Sequence, residues 1–154
     1  MDLRNSKSGF TLIELLVVVA IIGLLLSIIS ISLSNARMKS RDTRRVSDLK
    51  QIKTGLDLYY NHGGGYPDDT AWITGTELIC SGVTIMRIPR DPGPSGFDYV
   101  YTARGNSSTG CGGTVRSQYE LRFYMENKGA YYTMDEEGGI RDTSGNSVSV
   151  DSLL

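Results

Sequence analysis

The feature that most constrains this chain is a run of 24 residues, Phe10 to Leu33, that is almost wholly apolar and holds a single charge, Glu14. As a helix it is about 36 Å long, enough to cross a bilayer with some tilt. It starts directly behind a short leader that carries Asp2, Arg4 and Lys7 and ends in Gly9. An ordinary secretory signal has an apolar region of about 7–15 residues followed by a small-residue cleavage site. Ser34-Asn35-Ala36 imitates such a site, but the apolar run ahead of it is too long. Gly9 is small enough to sit in a protease active site. A cut between Gly9 and Phe10 would remove the leader, leave the apolar helix whole and expose a free amino group at the membrane surface.

Glu14 lies four residues, one helical turn, inside that new terminus. An ionisable group in a spanning helix costs about 2.5–3.5 kcal/mol even on mild insertion scales, and it calls for a partner. The charged terminus of a neighbouring copy, staggered by about a turn, would neutralise it inside an apolar filament core and set the axial register. The competing reading keeps the carboxylate at headgroup level, close enough to the helix end to reach water.

The helix is predicted to continue past the apolar run. Between Asn35 and Asn61 there is no proline, and Val46, Leu49, Ile52, Leu56 and Tyr59 recur at spacings of one helical face. Arg44 with Asp48, and Lys53 with Asp57, stand four apart and are expected to pair on the opposite face. His62-Gly63-Gly64-Gly65 ends the helix, with Pro67 just beyond. One helix over residues 10–61 would be about 78 Å long, more than one small domain can cover. Its N-terminal half must therefore be buried by lipid or by other copies.

Charge divides along the chain as well. Residues 34–62 hold seven basic and three acidic side chains, net +4, whereas residues 63–154 hold seven basic and twelve acidic, net −5. A basic rod and an acidic head attract one another when copies stack, within a screening length of about 10 Å. The alternative is a solvated helix face beside an ordinary acidic domain.

Beyond the helix the pattern changes to turns and short strands. Residues 66–96 hold all four prolines and read as irregular, with a short helix near Ala71–Leu78. Phe97 to Tyr101 alternates as a strand, and Gly105 to Gly113 reads as a Gly/Ser loop. Tyr119, Leu121, Phe123 and Met125 alternate with polar residues, the clearest strand of the chain. Asn127-Lys128-Gly129 is a turn into a second strand around Ala130–Met134, and Asp135 to Gly139 is the next turn. Thr143 to Leu154 is Ser-rich and reads as loose. The expected class is α+β: a long N-terminal helix packed by its apolar stripe on a small antiparallel sheet. The divisions read as a leader (1–9), an apolar half-helix (10–33), an amphipathic half-helix (34–62) and a β-rich head (63–154).

Two cysteines, Cys80 and Cys111, both lie in the polar part. If that part is exported a disulfide is the favoured state, with unambiguous connectivity, against two free thiols. An enzyme finds little support: His62 is the only histidine and sits in the helix-ending turn, no phosphate loop follows a strand, and two isolated cysteines are not a zinc site. Neither a catalytic nor a cofactor site is read. Asn106-Ser107-Ser108 has the glycosylation pattern on an exposed loop. The basic stretch Arg37–Arg45 could meet DNA or lipid headgroups, but a solvated or intersubunit face is the simpler reading, so nucleic acid is disfavoured as a partner. Tyr99, Tyr101, Tyr131 and Tyr132 read as sheet and interface residues.

Gly9-Phe10-Thr11-Leu12-Ile13-Glu14-Leu15-Leu16-Val17-Val18-Val19-Ala20-Ile21-Ile22-Gly23 resembles the N-terminal signature of type IV pilins and type II secretion pseudopilins. The resemblance implies cleavage after Gly9 by a prepilin peptidase, N-methylation of Phe10, and Glu14 as the assembly carboxylate. It implies a homo-oligomeric helical filament, an inner-membrane assembly platform as partner, and membrane lipid around the helix before assembly. It also implies a single-pass protein with a cytoplasmic leader and the head outside. The basic residues argue the other way, two before the span and five soon after it, which alone would place the head in the cytoplasm. Further along, Arg45 to Ile52, Gly65-Tyr66-Pro67 and Ile88-Pro89-Arg90-Asp91-Pro92 are similar to the major pseudopilin pattern. Two departures stand out. No proline interrupts the spanning helix, and Asp135-Glu136-Glu137 is too compact for a calcium loop that needs six to eight oxygens. A monomeric membrane-anchored binding module is the alternative of another class.

Overall fold

A computed structural model describes residues 9–94 and 96–154. They form two compact units, the first ending at Arg37 and the second comprising Met38–Leu154. Helix α1 (Leu12–Gly63) runs through 52 residues. Within the first unit it is an uncovered apolar rod: Leu12 is 81% and Leu24 64% exposed, and its most apolar 18-residue window has a mean hydropathy of 3.1.

The second unit is the predicted α+β head. Val46, Leu49, Ile52, Leu56 and Tyr59 are all buried, and they join Leu121, Phe123, Met125, Met134 and Ile140 in one core. Each fully buried Ile or Leu here contributes about 1.5–3 kcal/mol. The helix ends where the glycines predict: Gly64 takes a left-handed φ of 71° and its N–H donates to the Tyr60 carbonyl at 2.7 Å. Of the two expected helix pairs, Lys53 meets Asp57 at 3.0 Å. Asp48 instead turns into the core and accepts from the Tyr99 hydroxyl at 3.0 Å, leaving Arg44 exposed. The helical phase of Asp48 lies at the edge of the buried stripe, which explains the difference.

The sheet is antiparallel throughout and centres on β5 (Gly113–Met125), which pairs with β4 (Val100–Gly110), β6 (Ala130–Asp135) and the short β1 (Tyr66–Pro67). Beyond β6 come β7 (Ile140–Asp142) and β8 (Ser147–Val148). A separate hairpin is made by β2 (Glu77–Cys80) and β3 (Val83–Arg87).

Four expectations of secondary structure change, the first being that the strand read over Phe97 to Tyr101 begins only at Val100. The short helix near Ala71–Leu78 is replaced by a 3₁₀ turn at Asp69–Ala71 and by the β2–β3 hairpin. Ser81 and Gly82 both have positive φ (49° and 81°), the conformation of a tight two-residue hairpin turn. The Gly105–Gly113 loop is instead the far end of the β4–β5 ribbon, turned by Cys111-Gly112 with φ of 52° and 80°. There Ser107, Ser108 and Thr109 are exposed, so backbone pairing rather than side-chain burial makes the strand. Finally, the C-terminal stretch is not loose: β8 pairs with β7, Ser149 caps α2 (Val150–Leu153), and Leu153 is fully buried.

The ribbon tip is tied down. Cys80 and Cys111 form a disulfide with Cα atoms 4.4 Å apart, joining the β2–β3 hairpin to the β4–β5 turn. Closing a loop of sequence separation 31 is worth roughly 3–4 kcal/mol on the chain-entropy account. Beside it, a Cβ on Gly110 would overlap the Gly63 carbonyl, a backbone atom that cannot swing away. Gly110→Ala should therefore destabilise the head by about 2 kcal/mol, read as a lower urea midpoint with an unchanged slope.

Candidate functional site

The N-terminal end of α1 is built by a reciprocal cap. Thr11 stands just before the first helical residue, and its backbone N–H and hydroxyl donate to Glu14 Oε2 at 2.8 and 2.7 Å. The Glu14 N–H donates back to Thr11 Oγ1 at 3.3 Å. This is the Thr-x-x-Glu capping box, which satisfies two donors that a helix start leaves without intrahelical partners. Thr11 is the residue that the sequence reading missed, although the spacing of Thr11 and Glu14 ahead of an apolar run was its signal. The Glu14 carboxylate thus has a hydrogen-bond partner within its own chain. Phe10, Ile13, Glu14, Val17 and Val18 line a shallow apolar groove of about 320 Å³. Gly9 and Phe10 are exposed immediately ahead of the cap. Arg4 and Lys7 of the leader lie outside the described residues.

A second constellation sits in the head, where sequence reading expected a solvated or intersubunit basic face. Arg45 and Asp42 are fully buried. The Arg45 guanidinium donates to both oxygens of Asp91, at 2.7 and 2.6 Å, to Asp42 Oδ1 at 2.7 Å and to Glu126 Oε1 at 2.8 Å. Asp42 also accepts the backbone N–H groups of Glu126 and Asn127 at 3.0 and 2.8 Å, and Arg41 pairs with Glu126. Gly93 lies so close that a Cβ there would overlap Arg45. The cluster clamps the base of the helix to the Asp91 loop and to the end of β5. Its signal was helical phase: Asp42 precedes Val46 by four residues, and Arg45 precedes Leu49 by four and Ile52 by seven, so both head the buried stripe.

The Arg41 guanidinium beside Glu126 holds its carboxyl down to about 2, with Arg45 adding to the effect against the opposing influence of burial. A depressed carboxylate contributes stability that is present above its unfolded pKa, about 4.3, and lost as pH falls towards 2. Up to about 3 kcal/mol rides on this group. Thermal melting of the wild type should therefore fall more steeply between pH 4.3 and 2 than that of Glu126→Gln.

The prokaryotic N-terminal methylation motif family matches residues 4–30, a span that includes the whole Gly9–Glu14 segment. The chain is 30% identical over 121 residues to the type II secretion system core protein G of Vibrio cholerae, covering 71% of this chain and 80% of that protein. It is likewise 30% identical over 118 residues to the core protein G of Escherichia coli K12, with 68% and 78% covered. This chain belongs to the type IV pilin and type II secretion pseudopilin family. The type IV major fimbrial protein FimA of Dichelobacter nodosus is 32% identical over 102 residues, covering 64% of this chain and 65% of that protein. No solved structure matches the chain.

As in other members of this structural, non-enzymatic family, the apolar start of α1 fits a membrane-anchored pilin. Two of the tyrosine candidates are packing residues. Tyr99 and Tyr101 are buried, the latter donating to the Pro67 carbonyl at 2.8 Å. Asp135 accepts the Gly139 N–H at 2.7 Å and faces Arg141 at 3.4 Å, and Asp142 accepts from Ser144 and Asn146. Both turns are closed by their own hydrogen bonds, and no group of three or more His, Cys, Asp or Glu among the described residues is arranged to hold a metal.

Proposed function

We propose that this pilin-family chain is the structural subunit of a membrane-stored filament. Residues 10–33 hold it in the cytoplasmic membrane with the head outside. A prepilin peptidase cuts between Gly9 and Phe10, Phe10 is N-methylated, and an inner-membrane platform assembles the copies through their N-terminal helices. The observation that carries this reading is the uncovered apolar half of α1 beginning directly at a capped Glu14. Such a surface needs lipid first and other copies later. The disulfide suits an exported, oxidising location for the head.

Glu14 takes two roles in turn. In the free subunit Thr11 holds one carboxylate oxygen, so the group is tolerated at the membrane edge. In the filament, the amino terminus created by cleavage of a neighbour supplies the opposite charge. Between the two filament types, the longer coverage of the core protein G relatives favours a secretion pseudopilus over a surface pilus.

Mass spectrometry of the mature N-terminus, combined with fractionation of sheared surface or periplasmic material, tests the reading. A methylated Phe10 start in a sedimentable fraction is the expected result. A Met1 start would indicate an uncleaved anchor, an Arg37 start an ordinary secreted protein, and a Phe10 start confined to the membrane a monomeric binding module. Each of these would overturn it.

A further inference from the structure

Three arginines of the head line one groove. Arg44 on the helix and Arg87 and Arg90 around the end of β3 surround a depression of about 470 Å³, completed by Gln51, Ile88 and the buried Asp48. All three arginines are exposed, and none forms a salt bridge among the described residues; Arg87 Nε donates to the Gly75 carbonyl at 3.3 Å. Asp48 is engaged with Tyr99, so its charge only partly offsets the groove. The groove sets three guanidinium groups against the single carboxylate of Asp48, so it is net positive.

The matching anions lie on the other flank of the same unit. The Asp135–Gly139 turn packs beside Lys53, whose Nζ donates to the Glu136 carbonyl at 3.3 Å and pairs with Asp57. Asp135 is held by Arg141, but Glu136 and Glu137 form no salt bridge among the described residues. Arg44 and Lys53 stand nine residues apart on one helix. At about 100° per residue this is two and a half turns, so they lie on opposite sides of its axis.

We propose that the groove of Arg44, Arg87 and Arg90 receives the Glu136-Glu137 turn of a second copy of this chain. Patches on opposite flanks cannot both be satisfied within one pair of copies. Each copy added leaves a groove open at one end and a turn at the other. Such a heterologous contact does not close as a dimer but runs on from copy to copy, as a ring or an open helix, and the filament reading selects the helix. The inference rests on the filament reading and deepens it, naming a head-to-head contact apart from the N-terminal helices.

The test is charge reversal in the full-length chain, in cells where the wild type is assayed for sheared filaments and membrane-stored subunit. Arg44→Glu with Arg87→Glu, and separately Glu136→Lys with Glu137→Lys, should each lower filament yield at least about tenfold through like-charge repulsion, with subunit retained in the membrane. Combining all four should restore most of the yield, which also excludes misfolding as the cause. Normal filaments from either reversal, or no rescue by the combination, would overturn the contact while leaving the filament reading intact. Loss on arginine reversal alone would overturn the second copy as occupant and assign the groove to a phosphate-bearing lipid surface. Wild-type chain absent from the sheared fraction would overturn the filament reading and this contact together.

Discussion

Arg45→Met is expected to destabilise the head by about 3–5 kcal/mol, the cost of removing one partner from a buried ionic cluster. The size follows from what is left behind. Asp91 loses both of its guanidinium bonds and, among the described residues, retains the Gly93 N–H at 2.7 Å. Asp42 keeps two backbone donors and Glu126 keeps Arg41, so the penalty falls chiefly on Asp91. Against a total stability of roughly 5–15 kcal/mol, the loss removes at least about a fifth of it and, at the lower end, leaves a large unfolded fraction. Arg45→Lys should be intermediate, because a single ammonium cannot reproduce the bidentate fork to Asp91. Urea unfolding followed by the fluorescence of Trp72, the only tryptophan, reports the change, since its ring stacks on Tyr101 at 4.7 Å. An Arg45→Met midpoint equal to that of the wild type would show that the cluster contributes nothing net.

Glu14→Gln should leave the subunit in the membrane and reduce filaments at least about tenfold, because the glutamine keeps the cap but cannot neutralise a neighbour's charged terminus in an apolar core. This variant separates the two roles of the residue. Glutamine is an accepted capping-box partner, so Thr11 retains its acceptor. Glu14→Ala removes cap and charge together and adds about 1 kcal/mol of helix-end destabilisation. Thr11→Val removes the cap and keeps the charge. If filament yield follows Thr11→Val and ignores Glu14→Gln, the carboxylate acts only as a cap and the register role fails. Counting subunit in membrane and sheared fractions for the three variants decides between them.

Much of this protein was readable from its residues in order. The apolar run and the stripe from Val46 to Tyr59 each depend on local composition or on a helical period, and the structure reproduces the stripe and the alternation of Tyr119 to Met125 side chain by side chain. The Gly64 helix stop and the turn before Ala130 are equally local. Tertiary structure alone decided the fate of polar segments. The polar stretch from Gly105 to Thr109 has no apolar pattern, and becomes strand only because β5 supplies the hydrogen-bonding partner. Arg45 and Asp91 are 46 positions apart, so the clamp between them cannot be seen in any window of sequence. Charge itself is ambiguous along a chain: the same basic run holds the exposed Arg44 and the wholly buried Arg45. What separates them is 100° of helical rotation and the arrival of distant carboxylates that make burial of a guanidinium tolerable.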